Sequence, residues 1–493
     1  MAIAQREGVV VQPYCRLSED QVRLVDSVSR ELLENPGLLC FNEEAASIFR
    51  SAGAKIEDGG ECPRVRIPSD LVDDALKSAP STVVLGARNP DNRLVLDAHE
   101  ARVRFGSGSE TNIWLDVSFD GAHPKFEQKK GVIRRLCNSA HLCEHLEHLD
   151  FFIRNVNIQD DDVTEENKDV NKFLASLNNI TKHVQAGLTT LSALDHVVRL
   201  GEIVAGGKEA FAKEPVLSFI ACLVKSPLQF VDDTTANVIA IAKRRVPLVV
   251  SSCPMAGATG PFDEFGIVAQ INAEILAGAT LVQLVAPGGP VLYGSVPVRT
   301  RLDNLNDMYG APEFNHYNLD CTQMARHYGL PCYSTAGVGD TTEPGIQATV
   351  EKMLTLMEVP RGGAQYIHYA FGLLDRTNIF CPEQAVLDDA HIGIIKRGFA
   401  TPEVSHPKAE EVLSLVREIM ATSHKTYVYN LPMPAYDPVY VRYPLENDEG
   451  GALRAAHERY REMLDLPRRS LPSDVHENIR AEIPGVLPQT LES

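Results

Sequence analysis

Pro247-Leu-Val-Val-Ser251, Phe265-Gly-Ile-Val-Ala-Gln-Ile-Asn-Ala-Glu-Ile-Leu-Ala277, Leu281-Val-Gln-Leu-Val285 and Val291-Leu-Tyr-Gly294 set the rhythm of this chain. Short apolar, β-branched runs predict strands, and the longer stretch with apolar residues at helical spacing predicts a helix. The same rhythm extends in both directions. Strands are predicted at Phe151–Val156, His183–Gly187, Leu217–Cys222, Cys332–Ala336 and Tyr366–Ala370, and helical spacing recurs over Leu191–Ala205, Asp233–Lys243 and Glu313–Tyr328. Strand alternating with helix implies parallel pairing through right-handed crossovers. About eight such runs over roughly 250 residues predict an α/β protein built on a (β/α)8 TIM barrel. The competing open sheet lacks its usual mark, because Gly106-x-Gly108 has no third glycine and no GxxxxGK[ST] occurs.

The flanks read differently. Ser18 followed by Glu19 and Asp20 predicts a capped helix, a second helix is expected from Asn42 to Gly53, and a third after Pro68-Ser69-Asp70. Residues 1–92 are therefore expected to form a small helical region, and 93–400 the barrel. Leu94–Phe105 alternates as a strand and leads into the turn Gly106-Ser107-Gly108-Ser109. Residues 401–493 are expected as a C-terminal extension: a helix at Ala409–Ser423, an irregular stretch at Tyr427–Tyr443, a helix at Ala452–Leu464 and a polar tail.

The 493 residues carry 47 Lys+Arg against 66 Asp+Glu, a net charge of −19. That balance argues against nucleic acid as a partner, since phosphate affinity comes from clustered Lys and Arg. Ten scattered cysteines show no CxxC spacing, the N-terminus lacks the apolar stretch of a secretion signal, and Gln270, Asn272, Glu274 and Gln283 interrupt the most apolar segment. A cytoplasmic protein without a membrane span is expected.

Candidate chemistry collects at a few places. His141, His145 and His148 share one helical face at a spacing a metal can use, but Leu142, Leu146 and Leu149 on the other side favour a helix running into the next strand, and no metal is expected. Asp389-x-His391 is similar to the DxHxxG loop that presents histidine to cobalt, yet position 394 is Ile, so the chain is not expected to carry cobalamin itself. Three glycine-rich turns, Cys253–Pro261, Pro287–Pro290 and Thr335–Thr341, follow predicted strands, which puts Gly257, Gly288, Gly337 and Gly339 at the face where barrel sites are built. Small residues there let a flat ligand or another protein approach the backbone. Tyr293, Phe314, His316, Tyr317, Tyr366, His368, Tyr369 and Phe371 gather near strand ends, as a cage for a quaternary ammonium requires. No GxSxG is present, which disfavours hydrolase chemistry.

The stretch Gln270-Ile-Asn272-Ala-Glu274 through Pro287-Gly288, followed by Tyr293-Gly294-Ser295, resembles the trimethylamine:corrinoid methyltransferase family. Phe105-Gly106-Ser107-Gly108, Ala311-Pro312-Glu313, Tyr328-Gly329-Leu330-Pro331, Asp340 with Gln347-Ala348, and Glu383-Gln384 before Asp388 extend the resemblance over roughly residues 15 to 400. The resemblance implies a barrel that moves a methyl group from an amine to cob(I)alamin on a separate corrinoid protein. It implies no tightly bound cofactor, and a homo-oligomer is expected. Aligned on Tyr328–Pro331 and Asp340, the family's pyrrolysine falls at Val338, so a quaternary donor such as glycine betaine replaces trimethylamine as the expected substrate. A quaternary nitrogen leaves as a neutral amine and needs no proton, which puts the burden on positioning and exclusion of water. On that reading Glu313 and His368 are the candidate catalytic groups. Phe105, Tyr293, Phe314, Tyr366 and Phe371 would meet the ammonium, Arg299, Arg301, His316 or His368 a carboxylate, and Gly257, Gly288, Gly337, Val338 and Gly339 the corrinoid. The alternatives are a non-catalytic betaine-binding barrel and a metal-dependent barrel enzyme using His141, His145 and His148 or Cys222.

Overall fold

A computed structural model describes residues 5–402, 404–427 and 449–491. Its centre is a curled nine-stranded sheet. Eight of the strands are parallel, and we number these in chain order: β1 (Arg102–Phe105), β2 (Phe152–Ile153), β3 (Val184–Ala186), β4 (Leu217–Ala221), β5 (Leu248–Ser252), β6 (Val291–Ser295), β7 (Cys332–Thr335) and β8 (Tyr366–His368). Their spatial order is β1-β8-β7-β6-β5-β4-β3-β2, and the ninth strand, Val9–Val10, pairs antiparallel with β1. Between the outermost parallel strands runs no ladder. A single parallel bridge joins Gly106 to Phe151, and the Asp150 N–H donates to Phe105 O at 2.7 Å.

Register decides which side chains face inward. Tyr333 pairs with Tyr366 and Thr335 with His368, all on the concave side, while Ile367 pairs with Phe105 on the convex side beneath the helices. The concave side is filled by Phe151, Ile153, Val249, Leu292, Tyr333 and Tyr366. A hairpin of Thr82–Leu85 and Leu94–Asp97 closes its N-terminal end with Val83, Leu85, Leu94 and Leu96. Arg104 is anchored there by Arg6 O at 3.0 Å, Val95 O at 3.1 Å and Gln5 Oε1 at 2.7 Å.

The structure revises several expectations. Leu281–Val285 is not a strand but the last turns of the helix Glu264–Val285. That helix is buried on nearly every side, so its apolar residues show no helical stripe, and a short apolar run within it reads like a buried strand. It is long and apolar enough to cross a membrane, yet 89% of its most apolar window is buried inside the protein. Its polar residues are satisfied: Glu274 accepts from Ser226 Oγ at 2.8 Å and Leu228 N–H at 3.1 Å, and Asn272 donates to Ser29 Oγ at 2.9 Å. The eighth parallel strand is β1 instead, brought beside β8 from far along the chain.

The N-terminal region is not purely helical. Its helices, Glu19–Glu34, Glu43–Ser51 and Ser69–Ser78, fall where predicted, with Ser18 in a capping box and Asn42 accepting from Ala45 N–H. Three-residue strands Leu38–Cys40, Lys55–Glu57 and Arg64–Arg66 lie among them and join Val224–Lys225 and Gln229–Phe230 in a five-stranded sheet. After the sheet come helices His406–Ala421 and Glu449–Leu464. The expected polar tail contains a further helix, Ser473–Glu482. Apart from Tyr427, the irregular stretch Tyr427–Tyr443 lies outside the described residues.

Candidate functional site

The C-terminal ends of the parallel strands open onto a mouth lined by aromatic, thiol and carboxyl groups. At its base His368, the last residue of β8, stacks on Tyr333 with ring centroids 4.0 Å apart, and the His368 Nδ1 meets Ser334 O at 2.8 Å. Burial pulls the His368 imidazole down to about 3, so the ring is neutral at physiological pH. Below it Tyr366 stacks on Phe151 at 3.5 Å.

The chain leaves β8 through Tyr369 at φ +69°, a left-handed conformation that is costly for a bulky residue, on the order of 1–3 kcal/mol. The surroundings fix it. Tyr369 lies against Gly108, where an added Cβ would stand 2.5 Å from the ring. This close approach is one reason the turn after β1 carries glycine. Tyr309 faces Tyr369 with centroids 6.3 Å apart and is backed by Phe314 at 5.5 Å. Asp340, from the loop after β7, accepts the Tyr309 and Gly310 N–H groups at 2.9 Å each, and its own N–H donates to Glu351 at 2.7 Å. Burial pushes the Asp340 carboxyl up to about 6, and Asp307 is raised for the same reason.

Cys222, just past β4, and Cys253, just past β5, both reach solvent. Yet protein walls them closely enough that burial raises both thiols, which therefore stay protonated at neutral pH. Each thiol looks into a recess rather than out from a convex surface. Burial raises the Tyr369 and Tyr309 hydroxyls, and charge on Cys222, Cys253 or Asp307 would raise Tyr369 further, as Cys253, Asp307 and Asp340 would Tyr309.

Of the residues singled out in the sequence, His368 and Tyr366 lie on the concave side, and Phe314 supports Tyr309. Phe105 does not reach the mouth: it faces the helices, with Lys396 Nζ 5.5 Å from its ring. Tyr293 also points outward and donates its hydroxyl to Asn272 Oδ1 at 3.0 Å. Phe371 is buried in the main core. Glu313 is half-buried in the first turn of the helix Pro312–His327. The guanidinium of Arg299 covers Phe262 at 3.5 Å, Arg301 bonds Asp303 at 2.8 Å, and His316 bonds Glu264 at 2.9 Å.

Gly257 lies in the turn after β5, and Gly337, Val338 and Gly339 follow β7. Val338 is buried, and a buried Lys352 donates to Gly337 O and to Leu373 O while pairing with Asp388 at 3.1 Å. Gly288 is a correction. It follows a helix and precedes β6, so it sits at the opposite edge of the sheet, where its N–H donates to Gln283 Oε1 at 2.9 Å.

Among the described residues no group of three His, Cys, Asp or Glu is arranged to hold a metal ion. His141 and His145 touch edge-to-face at 4.9 Å, and burial lowers His141 to about 4. Asp389 and His391 lie inside the helix Pro382–Phe399, with Asp389 accepting the His148 N–H at 2.8 Å, so they form no presenting loop.

At this mouth tyrosines stand over a neutral imidazole. The family model described as trimethylamine methyltransferase (MTTB) matches residues 5–425. The chain belongs to that family. Within the trimethylamine methyltransferase family it is similar to the trimethylamine methyltransferase MttB of Desulfitobacterium hafniense, at 28% identity over 477 residues, covering 96% of this chain and 93% of the relative. It is equally similar to a glycine betaine methyltransferase of the same species, 28% identical over 389 residues, 79% of this chain and 78% of the relative. The MttB of Methanosarcina thermophila is 28% identical over 412 residues, 81% and 80% of the two chains.

Sequence reasoning passed over Tyr309, Tyr333, Asp307 and Cys253. Tyr333 was within reach, since it lies in a predicted strand and alternates with Thr335. Tyr309 and Asp307 had no such signal, because they sit in a loop whose return to the mouth depends on Asp340, thirty residues away in the chain.

Proposed function

We propose that this family member takes a methyl group from a quaternary amine, with glycine betaine the first candidate, and passes it to cob(I)alamin on a separate corrinoid protein. The observation that carries the reading is the pair Tyr309 and Tyr369, set above stacked Tyr333 and neutral His368 with Asp307 and Asp340 beside them. Ring faces attract an alkylammonium by about 0.5–2 kcal/mol per contact, more as water is excluded. Partly buried carboxylates add long-range attraction for the same charge.

The chemistry asks little of the protein. The C–N bond breaks with its electron pair left on nitrogen, the Co(I) pair forms the new bond to carbon, and a neutral tertiary amine departs. No proton moves, which suits a site whose imidazole is neutral and whose thiols are protonated. Positioning is then the main contribution. His368 and Tyr333 form the base of the cage, Glu313 supplies a distant negative charge, and exposed Gly257 would meet the corrinoid, with the buried Gly337, Val338 and Gly339 beneath the surface. Valine at the family's pyrrolysine position favours a quaternary over a tertiary donor.

The same reading treats the curled sheet as a closed (β/α)8 barrel over residues 93–400, between an N-terminal region at 1–92 and a C-terminal extension at 401–493. The 1-8-7-6-5-4-3-2 strand order and the Gly106–Phe151 bridge support it. Mixing the enzyme with reduced corrinoid protein and a panel of methylated amines tests the proposal through the cob(I)alamin to methylcobalamin spectral change. Conversion with glycine betaine or another quaternary amine is expected. A response to trimethylamine alone, or to nothing, overturns it.

A further inference from the structure

The tyrosine cage accounts for a cation, and a betaine carries an anion as well. None of the groups expected to meet that carboxylate is placed to do so: Arg299 covers Phe262, Arg301 is bonded to Asp303, His316 is bonded to Glu264, and His368 is neutral. Arg376 differs. It lies at the tip of the hairpin that follows β8, between the short strands Leu373–Leu374 and Ile379–Phe380. Two successive left-handed residues, Asp375 at φ +44° and Arg376 at φ +65°, build that tip, a conformation costly for residues with side chains and concentrated at ligand clamps. The tip is tied to the mouth from two sides. The Arg376 N–H donates to Gly339 O at 3.0 Å, and Ser109 Oγ donates to Thr377 O at 3.1 Å. One edge of the guanidinium is committed and the other is not. Nε and Nη2 donate to Asp375 Oδ1 at 3.1 and 2.7 Å. Nη1 stands 4.0 Å from Asp307 Oδ1, too far for a hydrogen bond, and makes none among the described residues. The side chain keeps 24% of its surface exposed, so it is open to a ligand. Asp307 in turn is a carboxyl whose charge acts on the Tyr309 and Tyr369 hydroxyls.

We infer that Arg376 is the specificity residue that takes the donor's carboxylate, and that Asp307 and Arg376 together select zwitterions whose two charges are a short carbon link apart. The inference rests on the quaternary-amine reading above and adds the anion and its partner. A trimethylammonium group and a carboxylate one methylene apart lie antiparallel to the Asp307–Arg376 pair, the ammonium toward Asp307 and the tyrosines, the carboxylate toward Nη1. The bond from Nη1 to a carboxylate is charge-assisted on both sides and stronger than a neutral one. A donor without an anion gains the cage and not this contact. A long link carries the carboxylate past Nη1. The acidic surroundings select in the other direction. Asp307, Asp340 and Asp375 all act on the guanidinium, and their negative charge repels a carboxylate that brings no cation with it. Only a molecule bearing both charges is attracted at both ends. The turn that holds Arg376 is already fixed, so little ordering of the protein is lost on binding.

Isothermal titration calorimetry on the full chain, with no corrinoid protein present, tests this. The wild type is expected to bind glycine betaine at least about tenfold more tightly than tetramethylammonium, choline or γ-butyrobetaine, and not to bind acetate. Arg376→Gln keeps a donor for Asp375 and loses the charge. It is expected to lower the preference for glycine betaine over tetramethylammonium by about tenfold. An unchanged preference overturns the inference, and so does an equal loss of both affinities, which is what a purely structural role for Arg376 predicts. Should Arg376→Gln fail to fold by circular dichroism, the wild-type comparison decides alone. Glycine betaine bound no more tightly than tetramethylammonium and γ-butyrobetaine overturns the inference and leaves the quaternary-amine reading standing. Binding of none of these amines overturns both.

Discussion

The two ends of the central sheet are built from similar residues to opposite purposes. At the N-terminal end Arg104 binds three oxygens, and both His183 ring nitrogens are engaged, Nδ1 with Gly86 O and Nε2 with Ser218 Oγ, each at 2.7 Å. At the mouth the demands are left open. Tyr369 holds a left-handed backbone, and Asp340 and Asp307 carry raised carboxyls. The hydrogen-bonded end returns its bonds as stability, whereas the mouth keeps a strained backbone and raised carboxyls in reserve for a ligand.

That contrast is most sharply tested where the two purposes meet, at Lys352. Lys352→Met removes the cation and leaves Asp388 buried and uncompensated, so a loss of about 3–5 kcal/mol is expected by chemical denaturation. A loss below about 1 kcal/mol would mean that the loops after β7 and β8 do not depend on this pair. At the mouth itself, Tyr309→Ala and Tyr369→Ala are each expected to lower kcat/KM for the cationic donor by up to about 30-fold, the equivalent of about 2 kcal/mol, with Phe at either position retaining most activity. Equal losses in the Phe and Ala variants would shift the role from the ring to the hydroxyl.

Asp340 separates the ends by pH. Its folded-state pKa of about 6 stands above the ordinary 3.8, so between those values the folded protein binds more protons than the unfolded chain. Stability from this group is therefore fullest below about pH 4 and declines as pH rises through 6. Asp340→Asn is expected to flatten that decline in thermal melts. In the wild type, KM for a cationic donor is expected to rise as the pH drops below 6 and the carboxylate is neutralised. The smallest effects are expected at the rim. His316→Ala and Arg301→Ala break exposed contacts, with Glu264 and Asp303, and should leave both melting temperature and kcat/KM close to wild type. A large KM increase for glycine betaine in either variant would make that residue the carboxylate partner after all.

Much of the architecture was legible because strands such as Leu217–Ala221 and Leu248–Ser252 are short, β-branched and bounded by turns. Leu281–Val285 misled for the reason that makes its helix unusual, burial on all sides, which erases the periodicity that separates helix from strand. The three-residue strands near the N-terminus are too short to carry a period at all. Within the candidate site, residue type was informative and direction was not. Tyr293 and Phe105 have the right chemistry at the right height but sit one position out of phase with Tyr333 and Tyr366, and only register reveals that they face the helices. Gly288 failed with the strand that was supposed to precede it.

The pairing of β1 with β8 also sets a clock. Ile367 meets Phe105 across roughly 260 residues, so an edge of β1 waits for a partner until nearly three-quarters of the chain has left the ribosome. At about 5–20 residues per second that interval is roughly 13 to 50 seconds. Through it an unpaired edge stands open to other strands, with aggregation competing against completion. Slower elongation between β1 and β8 should therefore lower the yield of native protein even though no amino acid is changed.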